Sequence, residues 1–270
     1  MAGVVHYPAQ KVLRIALWAF AILIFSIQLA PLVVLIPLSF TSGTLLNFPI
    51  PSFSLRWYSE FFGSAQWLGS LRNTFLVGIF ASTLATVLGT LGAIGVLRVS
   101  PRVQPVLMAA LISPMVIPLV VVALAMFLHL ARLGLAASFT GLIIAHTVVC
   151  MPLVLLPVVS TLQGFDMNLF RAALSLGATP VRAFFRIILP LIIPGVLAGW
   201  LFAFATSIDE IVVTLFVGGP EQITLPRQIY SGLRERISPT VAAVATLSTV
   251  LAITMLLVVE LLRRRGRRGS

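Results

Sequence analysis

Charge is what this sequence has least of. Only 9% of its 270 residues are Asp, Glu, Lys or Arg, where a soluble domain carries about 25%. Hydrophobic residues make up 59% and the mean hydropathy is +1.11, so the chain is suited to a lipid bilayer. The single cysteine, Cys150, excludes an internal disulfide, and no Cys/His cluster has metal-ligand spacing. There is no GxxxxGK[ST] phosphate loop, which excludes ATP hydrolysis by this chain. An intramembrane enzyme needs a nucleophile–base or metal constellation. Here there is no HExxH or GxSxG, and His129 and His146 fall on separate apolar segments. No catalytic residue, metal site or cofactor is expected.

Acidic residues are scarcer than basic ones, 7 against 18, for a net charge of +11. Nucleic acid is not the partner this suggests, because the arginines stand at the ends of apolar runs, where they set topology. A membrane-spanning helix needs about 20 mostly apolar residues. Six segments qualify: 12–39, 71–97, 105–130, 136–161, 188–217 and 240–262. The first is too long for a signal-peptide core and reads as a retained span. With the N-terminus inside, Lys11, Arg14, Arg98, Arg102, Arg171, Arg182, Arg186, Arg263, Arg264, Arg265, Arg267 and Arg268 face the cytoplasm. Arg56, Arg72, Arg132, Arg227, Arg234 and Arg236 face outward, and twelve against six favours N-in, C-in. The chain is then one transmembrane domain, 1–270, with a cytoplasmic segment at about 162–187 and a basic tail at 263–270.

Prolines within or near the spans (Pro31, Pro37, Pro114, Pro118, Pro152, Pro157, Pro194) predict kinks. A small-residue face on 71–97, with Gly78, Ala81, Ala85, Gly89, Gly92, Ala93 and Gly95, predicts close helix packing in the bundle or at a subunit contact. Residues 53–62, FSLRWYSEFF, read as an interfacial helix on the outer surface. Ser113, Thr206 and His129 are ordinary polar residues of such helices, and His146 reads as a packing or interhelical-bonding residue. Glu221, Arg227 and Tyr230 are placed outside, where an extracytoplasmic protein could meet them.

Residues 171–190, RAALSLGATPVRAFFRIILP, break the apolar pattern. Phe170, Ala173, Leu174 and Gly177 recur at helical spacing. Gly177 suits a helix C-cap, and Pro180 suits the first turn of a second helix that carries Arg182 and Arg186. The result is either a knob for a soluble partner or a basic loop that only sets topology. The run resembles the signature of binding-protein-dependent ABC importer permeases: EAA, three residues, G, nine residues, I, any residue, LP. Ala172, Ala173, Gly177, Ile187, Leu189 and Pro190 fall at that spacing, while Arg171 replaces the family's Glu. AGWLFAFATSIDEIVVTLFVGGP (198–220) and then TLPRQIYSGLRERISPTVAAVATL (224–247) resemble the spermidine/putrescine-type branch. The resemblance implies an all-α membrane protein of type I ABC importer architecture, with a coupling helix at 171–190 that docks on a cytoplasmic ATPase dimer. It further implies a homologous second permease subunit, most simply a distinct chain forming a heterodimer, an extracytoplasmic substrate-binding protein, and a place in the bacterial inner membrane.

Asp209 and Glu210 lie inside the fifth apolar segment, where each charge costs about 2.5–3.5 kcal/mol at a helix centre. With Ser207 they read either as a bonded pair holding helices in register or as a cation-attracting patch on a translocation path, and the resemblance favours the second. Neighbours on a helix point about 100° apart, so one of the two carboxylates faces the path. The expected cargo is a polyamine or similar small organic cation. Another amine or an aminophosphonate, or a proton-coupled secondary transporter, is the alternative.

Overall fold

The computed structural model describes residues 8–164, 166–235 and 238–268. Arg236, residue 165 of the 162–187 segment and the last two residues of the basic tail lie outside them. The described chain is helical, with one isolated bridge between Thr41 and Phe53. In order, the helices are α1 (Pro8–Leu38), α2 (Arg56–Gly63), α3 (Ala65–Arg98), α4 (Gln104–Val116), α5 (Leu119–Arg132) and α6 (Phe139–Gln163). Then come α7 (Met167–Ser175), α8 (Pro180–Ala183), a π-helical turn (Phe184–Ile188), α9 (Leu189–Asp209), α10 (Val212–Val217), α11 (Leu225–Glu235) and α12 (Pro239–Arg268).

Among the described residues, four stretches are long and apolar enough to cross a membrane: Leu13–Leu38, Ala65–Arg98, Phe139–Gln163 and Pro180–Asp209. The expected span at 105–130 is instead a pair, α4 and α5, bent by 100°. Proline is the cause. Pro118 forces its predecessor into extended backbone, and Ile117 sits at φ −72°, ψ 139°. Counted as one broken span, the pair is a fifth. The expected segment 240–262 lies in α12, whose apolar part is Pro239–Met255.

The chain divides into two compact units. One runs to Gly63 and resumes over Gly232–Thr249. In it, α1 is exposed from Leu13 to Pro31 and half-buried at Leu32, Leu35, Pro37 and Leu38. Helix α2 is amphipathic and buries Trp57 and Phe61. Trp57 Nε1 donates to Thr41 O at 2.8 Å, and Ser39 Oγ and Tyr58 Oη share a bond of 2.6 Å. Thr240 Oγ1 donates to Glu60 Oε1 at 3.0 Å. Trp57 and Phe61 of the aromatic segment 53–62 are therefore packed into their unit, while Phe53, Leu55 and Phe62 are exposed.

The other unit, Ser64–Ser231 with the chain from Val250 onward, is built on α3, α6 and α9. The expected small-residue face forms: Gly78, Ala81, Ala85, Gly89 and Ala93 of α3 are buried, while Gly95 is exposed. One apolar cluster joins Ala85 and Ala93 to Cys150, Val154, Val158, Ile188 and Ile192. A second joins Val77 to Leu130, Leu142, Val213 and Val217. Between helices, Cys150 Sγ donates to Ala203 O at 3.3 Å and Trp200 Nε1 to Thr83 Oγ1 at 3.2 Å.

Candidate functional site

The expected fifth span, 188–217, is not one helix. Helix α9 stops at Asp209, Glu210 takes extended backbone (φ −76°, ψ 116°), and α10 begins at Val212. The first amides of a helix have no partner within it, and an acidic side chain there satisfies them and suits the helix dipole. Glu210 does this: its Oε1 accepts from Val213 N at 2.9 Å, and the residue is only 8% exposed. Asp209, one position earlier, is exposed. The acidic pair thus divides into one carboxylate turned back onto the chain and one presented to the surroundings.

Ser207 is buried, and it bonds to a side chain rather than to its own helix. His146 of α6, fully buried, meets Ser207 Oγ through Nδ1 at 2.8 Å and Thr214 Oγ1 through Nε2 at 3.1 Å. Thr214 Oγ1 also donates to Glu210 O at 3.2 Å. A buried imidazole needs such partners, and these lie on both sides of the α9–α10 break. The interhelical bonding expected of His146 is present. Thr214 was not singled out by the sequence, since one threonine in an apolar run carries no signal of its own.

Arg227 holds the far end of α10. Its Nη1 donates to Gly218 O at 2.9 Å, Gly219 O at 3.0 Å and Thr214 O at 3.4 Å. Burial lowers the guanidinium from its ordinary pKa, yet arginine stays charged at any working pH. Nη1 is thereby committed to carbonyls of its own chain, and the residue is half-buried. Asn73 Nδ2 donates to Glu221 O at 2.8 Å and Ile223 O at 3.0 Å, and Leu225 N donates to Thr74 Oγ1 at 2.7 Å. The loop after α10 is therefore tied to the start of α3. The signal in sequence was Gly218–Gly219–Pro220 closing an apolar run, a helix end whose carbonyls need donors.

The 162–187 segment forms the expected hairpin. Asp166 caps α7, its Oδ1 accepting from Asn168 N at 2.9 Å. Helix α7 ends in a Schellman motif, with Gly177 N donating to Leu174 O and Ala178 N to Ala173 O, both at 3.0 Å. Gly177 sits at φ +88°, a backbone that a side chain strains. Thr179 Oγ1 accepts from Arg182 N at 3.3 Å, and Pro180 opens α8. The second helix is not separate: α8 passes through the π-helical turn into α9. Pro190 has no N–H for the carbonyl four residues back, and a wider turn ahead of it relieves that loss. Phe170, Phe184 and Leu189 pack against the cluster holding Ile188, with Ile187 half-buried and Pro190 exposed. Outward stand Arg171, Ala172, Arg182 and Leu176, the last 89% exposed, while Ala173 is half-buried.

Residues 85–268 match the family described as binding-protein-dependent transport system inner membrane component. The chain belongs to this family. Spermidine/putrescine transport system permease protein PotC of Escherichia coli (strain K12) is 33% identical over 258 residues, 95% of this chain and 97% of that one. Putrescine transport system permease protein PotI of the same strain is 32% identical over 249 residues, 85% of each. Among solved structures, a chain of a bacterial ABC transporter involved in the import of the acidic polysaccharide alginate aligns with TM-score 0.75 at 15% identity, covering 96% of this chain and 99% of that one. At that identity the likeness is one of fold. This protein is a multi-pass membrane permease subunit of a transport system.

Proposed function

We propose that this permease forms half of the translocation path of an ATP-driven importer of polyamines or similar small organic cations in the bacterial inner membrane. The observation that carries the reading is Asp209, exposed at a helix break in an otherwise apolar run while Glu210 beside it is tied down. A charge in such surroundings is expensive and is normally kept for a pathway or partner. A carboxylate beside a path lowers the entry barrier for a dication by direct attraction. A single free carboxylate also keeps the contact weak enough to release the cargo. PotC and PotI, named for spermidine and putrescine, support the choice of cargo.

The whole chain, 1–270, acts as one permease domain. Six spans lie N-in and C-in, with the bent α4–α5 pair counted as one and α12 as the last. The α7–α8 hairpin then lies in the cytoplasm and couples to one copy of a separate ATPase dimer. Arg171, Ala172 and Leu176 are exposed for docking, and the motif residues Ala173, Gly177, Ile187, Leu189 and Pro190 shape and anchor the hairpin. Because α8 runs unbroken into α9, ATPase closure would move the acidic break directly. A distinct homologous permease completes the path, and a binding protein outside delivers the cargo.

The test is uptake of labelled putrescine and spermidine into proteoliposomes holding the full complex, with ATP on the ATPase side. Uptake should fall at least tenfold in Asp209→Asn, the scale of a lost charge contact worth about 1.4 kcal/mol. Unchanged polyamine uptake in that variant would remove Asp209 from the path. ATPase stimulation by a loaded binding protein without polyamine uptake would mean a different cargo, such as another amine or an aminophosphonate.

A further inference from the structure

We propose that His146 is a positioning residue for the Asp209–Glu210 break, setting the direction in which Asp209 is presented. One imidazole grips both helix ends of the break: Ser207, two residues before Asp209, at 2.8 Å, and Thr214, four residues after Glu210, at 3.1 Å. The ring belongs to a third helix, α6, so it references both ends to a fixed part of the fold. Its neighbours Ala145 and Thr147 are buried, and Thr147 Oγ1 donates to Ile143 O at 2.7 Å.

One tautomer makes all of these contacts at once. In it the Thr214 hydroxyl proton goes to Glu210 O, Thr214 Oγ1 accepts from His146, and Nε2 carries the ring proton. Nδ1 then accepts from the Ser207 hydroxyl. The bonds run in one direction, from Ser207 through His146 and Thr214 to the Glu210 carbonyl, the backbone that links Glu210 to α10. Glu210 itself is in extended backbone, so the direction of the chain at the break is set by these side-chain contacts and by the Glu210 cap.

The functional consequence rests on the reading of Asp209 as a path residue; the positioning itself does not, and the test separates the two. Asp209→Cys is labelled with the cationic trimethylammonium-ethyl methanethiosulfonate in the assembled, nucleotide-free complex in nanodiscs. Cys150 is 1% exposed, and the parent chain serves as the background control. Adding His146→Leu should change the labelling rate about tenfold, and His146→Gln, which keeps an amide donor near the Nε2 position, should recover most of that change, the scale of one buried hydrogen bond. If the leucine variant does not assemble, Ser207→Ala and Thr214→Val each remove one arm and should shift the rate in the same sense. An unchanged rate in every variant that assembles overturns the proposal. Uptake is read in parallel with Asp209 intact: His146→Leu should raise the apparent KM for putrescine more than it lowers the maximal rate. If Asp209→Asn leaves uptake untouched while labelling still responds to His146, the path reading fails and the positioning role stands.

Discussion

Gly199 of α9 lies so close to Val154 of α6 that a Cβ on it would stand 2.8 Å from the Val154 Cα. From the other side, a Cβ on Gly89 of α3 would stand 3.0 Å from the Val154 Cβ and 3.1 Å from Met151 O. One fully buried valine is thus the common contact of the three helices that build the larger unit. Small residues let helix backbones approach this closely, and in a bilayer such packing supplies much of the association energy.

Gly199→Ala should therefore destabilise the permease by about 1–3 kcal/mol, because the obstructing atom is backbone and cannot rotate away. Gly95→Ala is the control, since nothing lies within 4 Å of a Cβ there, and a helical Gly→Ala change in open space is favourable by up to about 1 kcal/mol. Thermal melts of the purified protein should move in opposite directions for the two. Equal melting temperatures would remove the close approach as a source of stability.

Arg227→Ala should loosen residues 218–224 without unfolding the core. The substitution strips Gly218 O and Gly219 O of their charged donor, and hydrogen bonds to charged groups are worth about 1.5–3 kcal/mol. Hydrogen exchange should quicken across the loop after α10 and stay unchanged in α3 and α6. Arg227→Lys should recover only part of the protection, because one ammonium cannot reproduce the guanidinium fork. Unaltered exchange in the loop would show that Asn73, Thr74 and Gln222 hold it without Arg227.

The hairpin was legible in sequence because its determinants are local. Gly177, Pro180 and the spacing of Phe170, Ala173 and Leu174 act within a few residues of each other. The break after Asp209 was not, because hydropathy runs on through Ile211 and Val212 and hides a stop. Its only trace was the acidic pair, which is legible as chemistry but silent about which carboxylate turns inward. His146 finds its partners 61 and 68 residues away, a separation no periodicity encodes. The 100° bend between α4 and α5 was half legible: Pro118 predicts a kink, but its size depends on what packs around it.

Replacing Gly177 should weaken coupling in a graded order, with Asn mildest, Ala intermediate and Val worst. At φ +88° an L side chain costs about 1–2 kcal/mol, least for Asn, which bonds locally, and most for a β-branched residue. Amide exchange over 167–183 should rise in that order, and ATP-driven uptake should fall in the same order while complex assembly persists. Exchange that rises without any loss of uptake would separate the hairpin's order from coupling.

Arg171→Glu restores the charge that the family motif carries at this position, and its effect reports on the partner rather than on this chain. Residue 171 is exposed in the middle of α7, away from both helix ends, so its charge interacts little with the helix dipole. If the ATPase presents a matching acid, the reversal should weaken complex formation several-fold at low salt, since rim ion pairs are worth about 0–1 kcal/mol. Raising the salt to about 1 M, where the Debye length is about 3 Å, should erase the difference. Affinity that is unchanged at low salt would mean that no acid faces Arg171. A loss of about a hundredfold or more that survives high salt would place the side chain inside the interface, where an unpaired charge is far more costly than at a rim.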